Sequence, residues 1–252
     1  MVAQDPLVPT RSAHVANCMS PPYTVRVHPR ARHVRLRLDP RDGLIVTVPP
    51  RFDQRRILGL LAERRDWIEQ VRRRHAALRA DCAPGLLDAR PRQVDLAAVD
   101  TSWTVEYRVA EGLRASLRER DQRLQLNLPE DADDEVSAQL LRRWLGAKAR
   151  AFLSRELDAL ARRHGFRYSG LGIRHQRARW GSCSAAGRIS LNARLMFCPI
   201  EPVRYVLIHE LAHTEHLNHS PAFWNRVAEL MPDYRAAQRS LQQVWQRLPD
   251  WV

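Results

Sequence analysis

The chain's ten histidines are unevenly spread: four of them, His209, His213, His216 and His219, fall within eleven residues. That cluster dictates local structure more tightly than any other feature. Glu201-Pro202 opens a helix, since proline is favoured in a first turn. Val203, Val206, Leu207 and Leu211 carry an apolar stripe into His209-Glu210-Leu211-Ala212-His213. Residues four apart share a helix face, so His209 and His213 can offer two imidazoles to one metal ion. Glu210 lies about 100° further round the helix, where it can take a proton from a water on that metal rather than bind the metal itself.

A catalytic zinc site needs a third protein ligand and one open position. His219 is the expected ligand, yet on a continued helix it would lie about 9 Å along the axis from His213. The chain must therefore leave the helix between them. Asn218 is expected to do this in a left-handed conformation, and Ser220-Pro221 to cap and start a new helix carrying Phe223, Trp224, Val227 and Leu230. The spacing fits the extended H-E-x-x-H-x-x-G-x-x-H metal pattern, with His216 where that pattern has glycine. Glu229, on the following helix, is the competing third ligand, whereas Glu215 falls on the wrong face. His216 is expected near the site, facing substrate or solvent, and the spacing leaves the reach of Tyr234 open.

The rest of the chain reads as an α+β protein. Residues 1–20 lack periodicity and are expected to form a flexible tail, with Met19 a second candidate start. Val34, Leu36 and Leu38 alternate with arginines, and Pro40-Arg41-Asp42-Gly43 leads into Leu44–Val48, predicting a hairpin with one basic face. Asp53 should cap a helix running to about Leu78. After Ala83-Pro84-Gly85, alternation at Trp103, Val105, Tyr107 and Val109, in 113–117, and at Leu124, Leu126 and Leu128 predicts a β layer. Asp131, Asp133, Asp134 and Glu135 then precede a long helix that stops at Gly165. A soft boundary is expected near residue 130, between an N-terminal β-rich region with one helix (21–130) and a C-terminal domain (131–252).

Composition narrows the setting. No run approaches the ~20 apolar residues of a membrane helix, and no secretory signal opens the chain, so a soluble cytoplasmic protein with no membrane role is expected. The four scattered cysteines form no C-x-x-C pair, and Cys183 reads as a small strand residue. Lys and Arg number 41 against 28 Asp and Glu, a net charge of +13, and Lys148 is the only lysine. Eight arginines and no acidic residue occupy 159–200. Such a field suits an acidic partner or nucleic acid.

Gln176–Ser184 followed by Gly187–Asn192 predicts two short strands joined by a glycine turn. With R-W-G-S-C-S, then G-x-I-x-L-N, then H-E-L-A-H-x5-H-S-x-x-F-W, the chain resembles the YgjP-like, SprT-related zinc metallopeptidases from about residue 21 to 245. The resemblance implies a minimal zincin-like domain whose small sheet lies across the active-site helix. It also implies His209, His213 and His219 as Zn²⁺ ligands, Glu210 as catalytic base, and a peptide or protein substrate. Arg179 is the candidate contact for a substrate carboxylate or developing oxyanion, while Trp180, Phe223 and Trp224 read as core. Two rival readings share the site: a metal-dependent hydrolase of a nucleotide phosphoanhydride, and a nucleic-acid-binding module with a structural metal.

Overall fold

A computed structural model describes residues 22–29, 31–39, 43–80, 90–110 and 114–252. The expected tail, the turn residues 40–42 and the Ala83-Pro84-Gly85 interruption lie outside the described residues. The chain divides into two compact units, Met1–Asp81 and Cys82–Val252.

In the first unit, β1 (Tyr23–Val27), β2 (Arg35–Asp39) and β3 (Gly43–Val48) form a sheet of order β1-β3-β2, with β1 parallel and β2 antiparallel to β3. Leu36 and Leu38 pair with Val46 and Leu44, so the alternation sends leucines to one face and Arg35 and Arg37 to the other, as the hairpin reading requires. The apolar face packs against Ile57, Leu61 and Ile68. The Asp53 carboxylate does cap the helical segment, accepting from the Arg55 amide at 3.0 Å. The segment is nevertheless two helices, α1 (Ile57–Glu63) and α2 (Arg65–Ala80), broken at Arg64. Ala62-Glu63-Arg64-Arg65 contains no helix breaker, so propensity carries no sign of the interruption.

The second unit opens with β4 (Gln93–Leu96), β5 (Thr101–Val109), β6 (Ser116–Arg120) and β7 (Arg123–Leu128), in the order β4-β5-β7-β6. Asp121 and Gln122 both take positive φ, the geometry of a tight two-residue hairpin turn between β6 and β7. Leu124, Leu126 and Leu128 share one apolar core with Leu141, Leu145 and Leu153 of α3 (Asp134–His164). The boundary expected near residue 130 therefore falls inside this unit, because the strands before it and the helix after it bury the same surface. The ends of α3 follow their signals. Asp133 accepts from the Val136 amide at 3.0 Å, and Gly165 at φ 76° closes the helix.

A third sheet follows, made of β8 (Gly170–Arg174), β9 (Gly181–Cys183) and β10 (Arg188–Asn192) in the order β8-β10-β9. Its hairpin turns at Gly187, φ 70°, and Ser184 braces the turn by accepting from the Arg188 amide at 3.1 Å. Three helices complete the unit: α4 (Ile200–Ala212), α5 (Pro221–Leu230) and α6 (Tyr234–Arg247). Helix α4 is apolar on several sides and lies against α3, α5, α6 and strand β9. Among the described residues no helix is long and apolar enough to cross a membrane.

Candidate metal centre

Helix α4 delivers His209 in its last turn, and His213 caps its end. The helix unwinds at once: the Thr214 and His216 amides bond back to the Leu211 and Ala212 carbonyls at 2.9 Å each. Asn218 is not among the positive-φ residues, which corrects the left-handed exit expected for it. Its side chain instead makes an Asx turn, accepting from the Ser220 amide at 3.2 Å. Ser220 then caps α5 and Pro221 occupies the first turn, as the sequence predicts. This path swings His219 back over the end of α4.

The three imidazoles converge. One ring nitrogen from each of His209, His213 and His219 lies within 4.8 Å of the others, and His219 Nε2 stands 3.1 Å from His209 Nε2. Phe223, fully buried, packs its ring against all three at centroid distances of 4.5 to 4.9 Å. Trp224 stacks on His219 and Tyr234 stacks on Trp224. Burial, with the charges of His213 and His219, holds His209 down to about 3, in the neutral form that binds metals. His213 Nδ1 lies 2.9 Å from the His216 carbonyl oxygen, a contact that fixes the ring. The His216 ring itself is not part of the cluster.

Competing ligands are occupied elsewhere. Arg226 binds Glu229 at 3.0 Å and Glu215 at 3.1 Å, and both carboxylates lie outside the histidine cluster.

Glu210 is 5% exposed, and its Oε2 is buried with no hydrogen-bond partner. Burial pushes its carboxyl up to about 8, against the opposing charge of exposed Arg179. The carboxylate lies against strand β9, where a Cβ built on Gly181 would meet Glu210 Oε1 at 2.6 Å. Asn192, fully buried, fixes the approach to that strand: its Nδ2 donates to the Gln176 and Arg179 carbonyls at 2.7 and 2.8 Å. Trp180 packs edge-on against Trp245, in keeping with a core role. Cys183 lies in β9 and its thiol is raised by burial and by the Glu210 charge, the opposite of nucleophile activation.

Residue spacing did not single out Gly181, Asn192 or Tyr205. Tyr205 stands one helical turn before His209, and its hydroxyl lies 3.4 Å from His209 Nδ1 while accepting from Gln238 Nε2 at 2.8 Å. The four-residue interval could have found the tyrosine. Nothing local points to Gln238, which arrives on α6.

With this geometry in hand, comparison with known proteins is decisive on family. The YgjP-like metallopeptidase-domain model matches residues 32–244. The chain belongs to this family. The match takes in Glu210 and all three clustered histidines of this YgjP-like protein. A solved structure, the metallopeptidase zymogen of Pyrococcus abyssi abylysin, is 25% identical with a TM-score of 0.35, over 38% of this chain and 98% of that one. No curated protein matches the chain.

Proposed function

We propose that this YgjP-like protein is a zinc-dependent peptidase in which His209, His213 and His219 hold the metal and Glu210 is the catalytic base. The observation that carries this reading is the convergence of three imidazole nitrogens within 4.8 Å of one another, on a helix whose next residue, Glu210, keeps a buried unpartnered oxygen. The donor set suits zinc, since three imidazoles satisfy three positions of a tetrahedron and leave the fourth to water or substrate. Bound there, the ion supplies Lewis acidity toward a scissile carbonyl and a water. Glu210 accepts the proton of the attacking water and returns it to the departing amine. Arg179 is the proposed contact for a substrate carboxylate or the developing oxyanion, and His216 a second substrate contact. Strand β9 is the edge of its sheet, so an extended peptide can pair with its main chain.

Replacing Glu210 by Gln should lower hydrolysis of a peptide library about 10²- to 10⁴-fold while zinc stays bound. Undiminished turnover in that variant removes the assignment. His219→Ala should strip zinc from the purified protein, whereas full zinc retention would move the third ligand to Glu229.

A partner of negative charge is the second proposal. Of the eight arginines in 159–200, Arg194 is buried and serves the fold, but Arg162, Arg163, Arg167, Arg174, Arg177, Arg179 and Arg188 are exposed. They suit an acidic protein or nucleic acid. Binding that does not weaken with salt would remove this proposal and leave the zinc chemistry standing.

A further inference from the structure

All three sheets contain the same unit: a first strand, then a hairpin whose second strand pairs in parallel with the first. It appears as β1-β3-β2, as β5-β7-β6 and as β8-β10-β9. In each, the outer hairpin strand begins opposite the penultimate residue of the central strand: Arg35 opposite Thr47, Ser116 opposite Asn127, and Gly181 opposite Leu191. Two of these equivalent positions carry side chains. The third has none, although Gly181 does not take positive φ, so its backbone conformation does not demand glycine.

The reason lies across the gap. A Cβ at 181 would stand 2.6 Å from Glu210 Oε1, 2.8 Å from Cγ and 2.9 Å from Cδ, all closer than real side-chain contacts allow. Two walls resist such a clash unequally. The backbone wall is locked, because Asn192 spends its amide nitrogen on the Gln176 and Arg179 carbonyls while its main-chain N–H donates to Trp180 at 2.8 Å. The other wall is the end of a single side chain. Any substituent at 181 therefore displaces the Glu210 carboxylate and leaves the strand in place. We propose that Gly181 is a positioning residue: its missing side chain is the socket that sets the Glu210 carboxylate relative to the histidine cluster, and Asn192 holds that socket rigid. The inference rests on Glu210 as the base.

The test is a cycle of Gly181→Ala, Glu210→Asp, Glu210→Ala and the two double variants, read by kcat and KM, zinc content, and thermal unfolding of the metal-free protein. Gly181→Ala should lower kcat about 100-fold, the effect expected of a displacement near 1 Å, with KM and zinc content kept. In the Glu210→Asp background, where the shorter side chain leaves room for the new methyl, the same substitution should cost far less. Should Gly181→Ala fail to fold, Glu210→Ala must restore folding, since it removes the atoms in the way. Wild-type kcat in Gly181→Ala, or an equal penalty in both backgrounds, overturns the proposal. The unfolding cycle reads the 181–210 contact without turnover, so it stands or falls separately from the base assignment. Normal turnover in Glu210→Gln would defeat that assignment alone.

Discussion

Two carboxylates of the second unit, Glu119 and Glu210, lie beside the edges of its sheets and are treated in opposite ways. Glu119, on β6, accepts from Trp103 Nε1 at 2.8 Å and Trp144 Nε1 at 3.0 Å, and Lys148 Nζ stands 2.6 Å away. Partial burial alone would raise its pKa, but the hydrogen bonds from Lys148, Trp144 and Trp103, together with the Lys148 charge, bring it below its ordinary value. Glu210 is more deeply buried, has no donor on Oε2, and rises to about 8. Donors and depth together separate the pair. The Glu119 carboxylate has its lone pairs filled, whereas Glu210 keeps a buried oxygen without a donor at a cost in stability.

The largest expected break in this comparison is in turnover. Glu210→Gln should abolish most hydrolysis, by about 10²- to 10⁴-fold, whereas Glu119→Gln should keep wild-type kcat. A peptide assay on the two variants side by side checks this, and equal losses would mean that Glu119 acts on the site as well.

Stability should rank the same two substitutions in reverse. Glu119→Gln points an amide at one of the indole donors and removes the charge from Lys148. The cost is about 1–2 kcal/mol, set at the low end for charged hydrogen bonds because the side chain is 29% exposed. Burial already favours the neutral carboxyl at Glu210, so Glu210→Gln exchanges one neutral group for another of the same size and should leave the metal-free protein about as stable as wild type. Denaturant midpoints of the metal-free variants decide it, and a loss at Glu210 larger than at Glu119 would contradict the contrast.

The same contrast shows what a sequence can and cannot disclose. Features written in one short segment were legible. H-E-x-x-H, Ser220-Pro221, the Asp133 and Gly165 ends of α3 and the Gly187 turn are each fixed by neighbours a few residues away. The helix exit was legible as a necessity but not as a mechanism, because Asn218 can bend a chain either by left-handed φ or by an Asx turn, and only packing chooses between them. Features that join distant segments left no local trace. The donors of Glu119 come from residues 103, 144 and 148, and the space for Glu210 comes from residue 181 on another strand. The boundary near 130 failed for the same reason, since only tertiary contact shows that β7 and α3 share a core.

Acid should expose the Glu119 cluster selectively. Its folded pKa is depressed, so the cluster's contribution is complete above the unfolded value, near 4.5, and is lost as pH falls through the lower folded value. Wild type should therefore lose stability below about pH 4.5 more steeply than Glu119→Gln, and the two curves should converge at the acid end. Unfolding midpoints between neutral pH and pH 3 test this. Parallel curves would mean that the ionised carboxylate contributes nothing to the fold.

The smallest effects belong to the positions that match Gly181 in the other two sheets. Arg35 is exposed, and Ser116 is half-buried with only a 3.3 Å hydrogen bond from Asn127 Nδ2 to its hydroxyl. The contact with Glu210 is at Gly181. Arg35→Ala and Ser116→Ala should each shift stability by no more than about 0.5 kcal/mol and leave kcat and zinc content at wild-type values. Because all three positions open the outer strand of the same strand arrangement, these variants isolate what is particular to Gly181. If alanine at 35 or 116 depressed turnover as strongly as alanine at 181, the sensitivity would belong to the strand arrangement. If only residue 181 responds, it belongs to the carboxylate that faces it.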